Sequence, residues 1–150
     1  MLARFAQEGD FDCFLLAGRS SILEHGARDE LFPLWAQKNI GILLGGTYNG
    51  GVLASDLNVG AKFNFADAST DVLERARRLR AVAARHRVSL KAAAWQFARA
   101  HPQVTCIISG TRVPDRVDEN LKLADEAIPS GFWAELKTDN LLRQDATIPE

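Results

Sequence analysis

The residues best able to do chemistry lie together in IISGTRVPDRVDENL, residues 107–121. Ile107 and Ile108 run into Ser109, Gly110, Thr111 and Arg112, and Pro114 then opens a helical pattern carrying Arg116, Glu119 and Asn120. Small residues at a strand end let a ligand approach the backbone. The N–H groups around Thr111 and Arg112, at the start of a helix, would favour an anion. Arg112 and Arg116 are four apart, so both could lie on one side of the helix start and clamp a phosphate. Glu119 offers an acceptor and Asn120 offers both donor and acceptor, a set suited to an adenine edge. On spacing alone, an ordinary strand–loop–helix with surface charges fits equally well. The chain contains neither a P-loop nor a GxGxxG, so the commonest nucleotide signatures are absent.

These residues need elements to position them. Three short apolar runs recur: FDCFLLAG (11–18), IGILLGG (40–46) and VTCIISG (104–110). Each is continuously apolar, as expected of parallel strands covered on both faces, and each is followed by a helical pattern. Between the first two, DELFPLWAQKN (29–39) has apolar spacing of a helix, with Pro33 best placed in its first turn. The second run opens the glycine-rich loop GGTYNGG (45–51), and LNVGAKFNFADAS (57–69) reads as irregular. Asp71 and Glu74 read as a capping pair for a long helix with Val72, Leu73, Ala76, Leu79 and Ala83 as its stripe. Ser89 reads as the cap of LKAAAWQFARA, ended by His101-Pro102, and Ser130 as the cap of a last short helix.

The six arginines between 75 and 87 split around the apolar stripe, as solvated flanks do and a nucleic-acid face does not. Basic and acidic residues number 18 and 19, leaving a net charge of −1 that points to neither nucleic acid nor membrane surface. No run has the length of a signal peptide's apolar core or a membrane span, so a cytoplasmic location is expected. Cys13 and Cys106 sit inside apolar runs and read as buried free thiols. MLARFAQEGDF reads like the tail of a helix entering a strand, as though the chain began mid-domain.

The pattern of a strand, Ser-Gly-Thr-Arg, a proline, then Arg-Val-Asp-Glu-Asn-Leu resembles the last strand and helix of the aldo/keto reductase family. VSLKAAAWQFARAHPQVTCIISG (88–110) is similar to that family's preceding helix and strand. RSSIL (19–23) and GGTYNGGVL (45–53) fall where its sixth and seventh strand loops would be. The GGTYNGG form is most similar to the branch of L-fucose, D-threo-aldose and pyridoxal dehydrogenases. The resemblance implies an α/β fold, the C-terminal portion (about strands six to eight) of a (β/α)8 barrel. Residues 1–150 would then be a partial aldo/keto reductase domain whose N-terminal half is absent.

Carried over by position, Gly110, Thr111, Arg112, Arg116, Glu119 and Asn120 match the family's adenosine and 2′-phosphate contacts. Gly46, Thr47 and Tyr48 match its pyrophosphate and nicotinamide side. The implied cofactor is NADP or NAD, and the implied partner a small carbonyl or alcohol substrate such as a sugar. Two departures stand out: Gly45 where many members place a stacking tyrosine, and Ala17 where they carry a glutamine. The family's catalytic tyrosine, aspartate, lysine and histidine would lie in the first half of the barrel, so no residue here is assigned to catalysis. His25, His86 and His101 read as structural or solvated. A non-catalytic nucleotide-binding or scaffolding relative is the second expectation. Another barrel enzyme with a phosphate site after its last two strands is the third. Alone, the chain is expected to be inactive and to self-associate.

Overall fold

A computed structural model describes residues 1–55, 57 and 61–149. Helix α1 (Leu2–Glu8) leads into β1 (Cys13–Ala17), α2 (Ala27–Gln37) and β2 (Gly41–Gly45). A short hairpin, β3 (Lys62–Phe63) and β4 (Ala66–Asp67), precedes α3 (Thr70–His86) and α4 (Leu90–Arg99). Strand β5 (Val104–Ile108), α5 (Asp115–Ala124) and α6 (Ser130–Thr138) complete the order. The three longer strands form one parallel sheet in the order β1-β2-β5; β1 and β5 lead to α2 and α5, and β2 reaches α3 only through the β3–β4 hairpin.

One face of this sheet is covered. Phe14, Leu16, Ile42 and Leu44 pack with Ala6, Phe32, Trp35 and Ala98 into a buried cluster. A second cluster joins α3, α4 and α6 through Leu79, Phe97, Phe132, Trp133 and Leu136. The other face of the sheet is open, which corrects the expectation of strands buried on both sides. Cys13, Leu15 and Ala17 are exposed while Phe14 and Leu16 are buried. Both cysteines are exposed free thiols rather than buried ones. The physical reason is the two-residue period of a strand: alternate side chains turn away from the helices, however apolar they are. Leu15, Leu43 and Cys106 form one row across the open face, and Ala17, Gly45 and Ile108 form the next.

Local details differ from expectation in four places. Pro33 lies inside α2 rather than in its first turn, because the helix begins at Ala27. Ser69, not Asp71, caps α3, its side chain accepting from Val72 N. Ser130 is the first residue of α6 and makes no capping hydrogen bond; Pro129 precedes it. Part of the stretch expected to be irregular is the β3–β4 hairpin, with residues 58–60 outside the described residues. Ser89 caps α4 as expected, accepting from Ala92 N.

Most of the described guanidinium heads on α3 have protein partners. Arg75 donates to Leu141 O at 2.8 Å and Arg78 to Asp139 O at 3.0 Å, while Arg85 pairs with Glu135. These bonds tie α3 to α6 and the segment after it. Arg77, Arg78, Arg85 and Arg87 are exposed, as solvated flanks would be, whereas Arg75 and Arg80 are half-buried. Among the described residues, no helix is long and apolar enough to cross a membrane.

Candidate functional site

Beyond the carboxyl ends of β2 and β5, a cavity of about 610 Å³ opens between the loop after β2 and the start of α5. Its wall includes Gly46, Thr47, Tyr48, Gly110, Thr111, Arg116, Glu119 and Asn120. Every residue proposed from sequence is there except Arg112. The separation of the two arginines has a simple cause. Helix α5 starts at Asp115, so residues 111–113 precede it and the i, i+4 geometry does not apply to Arg112. Thr111 shapes that turn: its Oγ1 accepts from Val113 N at 3.1 Å.

Parallel strands deliver both loops to one end of the sheet. Gly45 and Ile108 are register partners at the ends of β2 and β5, so the segments leaving them start side by side. The loop after β2 is held from behind by a buried polar network. Ser21 Oγ donates to Asn49 Oδ1, and Asn49 Nδ2 donates to Gly18 O at 3.3 Å and Asn64 Oδ1 at 3.2 Å. Asn49 is fully buried with a positive φ of 48°. Gly46 is required by this packing: a Cβ there would meet Gly18 N at 2.9 Å. Gly110 is different. It lies outside the left-handed region, and nothing lies within 4 Å of where its Cβ would be. Neither backbone strain nor a neighbouring described residue calls for a glycine at that point of the cavity wall.

The polar groups across the cavity are already paired with one another. Tyr48 OH donates to Asn120 Oδ1 at 3.1 Å, and Asn120 Nδ2 donates to Ser109 Oγ at 3.0 Å. Burial, reinforced by the Glu119 carboxylate, pushes the Tyr48 phenol up to about 12, so it remains a donor at neutral pH. Lys91 pairs with Glu119, and its hydrogen bond holds the Glu119 carboxyl below its usual range, with Arg116 lowering it further. Lys91 Nζ also sits 5.9 Å from the centre of the Tyr48 ring.

Lys91 and Ser109 also line the wall, as do Gly50, Gly51, Ala54, Ser55 and Ile108, but none was proposed as a site residue from sequence. Ser109 stands inside the quoted stretch and its strand-end position was a usable signal. Nothing in sequence links position 91 to 119. Only the packing of α4 against α5, held by Gln96 Nε2 donating to Leu123 O and Glu126 O, brings them together.

The sequence matches the profile of the Aldo/keto reductase family over residues 3–139. The chain belongs to the aldo/keto reductase family. Within it, the chain is 35% identical over 136 residues to pyridoxal 4-dehydrogenase from Microbacterium luteolum, covering 91% of this chain and 40% of that protein. It is 32% identical over 142 residues to D-threo-aldose 1-dehydrogenase from a Pseudomonas species, covering 94% of this chain and 43% of that protein. The chain thus spans less than half the length of these aldo/keto reductase relatives. An aldo-keto reductase from Bacillus halodurans superposes with a TM-score of 0.71 at 18% identity. The match covers 99% of this chain, with 49% of the other chain in its apo form and 46% in its holo form. The fold is therefore the α/β architecture of a portion of the aldo/keto reductase barrel.

The three histidines have structural surroundings. His86 Nε2 is 2.5 Å from Glu135 Oε2 on α6. His101 Nδ1 accepts from Gln103 N at 3.3 Å and lies against Phe32. His25 lies against Phe97. Burial lowers both His25 and His101 to about 4, helped at His25 by Arg75, Arg28 and Arg143 and at His101 by Arg28. None lines the cavity.

Proposed function

We propose that this cavity binds a nicotinamide dinucleotide, NADP or NAD, with its adenosine end toward Gly110 and α5 and its pyrophosphate and nicotinamide side toward Gly46, Thr47 and Tyr48, and that the chain is the cofactor-holding part of an oxidoreductase. The substrate would be a sugar or other small carbonyl or alcohol compound, a reading supported by the pyridoxal and the D-threo-aldose in the names of the two related dehydrogenases. A cytoplasmic location accompanies this reading. The observation that carries it is the convergence of Tyr48 from the loop after β2, Gly110 from the turn after β5, and Arg116, Glu119 and Asn120 from α5 on one cavity.

The donor set supports the reading. Arg116 supplies a charge for a phosphate, and Asn120 and Glu119 supply the edge-on donors and acceptors that an adenosine needs. Gly110 leaves room for a ligand against the backbone. When bound, the nicotinamide would accept or donate the hydride exchanged with the substrate carbon. This chain's residues would bind and orient the far end of the molecule. The phenol of Tyr48, kept protonated by burial, positions Asn120 for that task. Proton transfer to the substrate would rest on groups outside residues 1–150, which are proposed to form a partial domain.

Titration of the protein with NADP and NAD, followed by calorimetry, tests the proposal. Saturable binding of at least one dinucleotide at one site per chain is expected. The absence of binding by both at millimolar concentration would overturn it.

A further inference from the structure

The phosphate clamp suggested by sequence paired Arg116 with Arg112, but the second cation on the cavity wall is Lys91. Lys91 comes from the first turn of α4, the helix before β5. Its side chain is 26% exposed, against 47% for Glu119. A single carboxylate, Glu119, is flanked by both Lys91 and Arg116. The cavity wall named above therefore carries two positive charges and one negative. Each cation is only partly neutralised, and Lys91 is partly desolvated as well.

We propose, resting on the cofactor reading above, that Lys91 acts beside Arg116 as a second residue by which this protein distinguishes a phosphorylated adenosine ribose from an unphosphorylated one. A ribose phosphate brings close to two negative charges at neutral pH. It competes with the Glu119 carboxylate for Lys91 and takes the cation over, joining Arg116 on the other side. A plain ribose offers only hydroxyl groups. Lys91 then stays on Glu119, and the second cation adds nothing to affinity. The Lys91–Glu119 pair is thus a counter-ion arrangement that only a dianionic ligand exchanges. Its place beside the Tyr48 ring keeps the ammonium inside the cavity when the pair opens.

The test is a titration of the wild-type chain, Lys91→Met and Lys91→Arg with NADP and with NAD. Lys91→Met keeps the stem and removes the charge. It should weaken NADP at least tenfold while changing NAD less than threefold. Lys91→Arg should recover most of the NADP affinity. The wild-type protein gives an independent reading that needs no variant: its NADP affinity should fall more steeply with salt than its NAD affinity. Equal losses for both dinucleotides, an unchanged NADP affinity in Lys91→Met, or parallel salt dependences would each overturn the assignment. Wild-type protein that binds neither dinucleotide would remove the cofactor reading as well, so the two failures are distinguishable.

Discussion

Arg116 and Glu119 illustrate how far single residues could be read. Their types named the chemistry, an anion and a hydrogen-bonding head group, and both line the same cavity. Arg112 and Lys91 mark where that reading stopped. A four-residue spacing means a shared side only inside a helix, and the turn built on Thr111 lies before α5 begins. Lys91 is 28 residues from Glu119, and no local rule predicts a pair at that separation. A binding consequence follows for Arg116. Losing one charge-assisted contact is worth about tenfold or more in affinity. Arg116→Ala should therefore weaken NADP by roughly that factor and NAD by clearly less, measured by titration of the wild type and the variant. Equal losses would place Arg116 away from any phosphate.

At the scale of elements, continuous apolarity revealed the three strands, and apolar spacing revealed the helices. Burial on both faces did not follow, because apolarity says that a side chain suits a covered position without saying what covers it. The β3–β4 hairpin escaped notice because its strands are two residues long and its turn, Asn64-Phe65, has no glycine although both residues have positive φ. Packing of elements also sets a pH dependence. His25 lies among Arg75 of α3, Arg28 of α2 and Arg143 after α6, and Ile22 in its own loop contributes a backbone hydrogen bond that opposes the shift. His101 is lowered by burial and by Arg28. Both are held near 4 in the fold against 6.5 for the free side chain. As pH falls from 6.5, the unfolded chain takes up protons that the folded chain refuses. Stability should therefore decline between about pH 6.5 and pH 4, with the carboxylates lowered by ion pairs adding to the loss at the acid end of that window. Urea midpoints at pH 7, 5.5 and 4.5 check this. Midpoints that hold level or rise across that window would contradict it, and His25→Gln should flatten the decline.

At the scale of the whole molecule, the main sheet has three strands, with β1 and β5 as its unpaired edges among the described residues. Leu15 (56% exposed) and Ile108 (44%) stand on its open face, and Val117 and Leu121 are exposed on α5 nearby. Open edges and uncovered apolar surface favour association. Residues 1–150 should accordingly show a mass that rises with concentration in light scattering. They should show no carbonyl reduction or alcohol oxidation above background with either cofactor. A monomer at all concentrations, or real turnover, would contradict this account. The family was legible at this scale because the most specific part of the resemblance, residues 89–121, lies within the chain. The substrate was not, because no described residue of the cavity wall reports on a substrate pocket. The central claim concerns where a dinucleotide binds, and hydrogen–deuterium exchange with and without NADP addresses it most directly. Binding should slow exchange in peptides covering 46–51 and 109–120 and leave α2 and α6 unchanged. Protection confined to other segments, or none at saturating NADP, would contradict it.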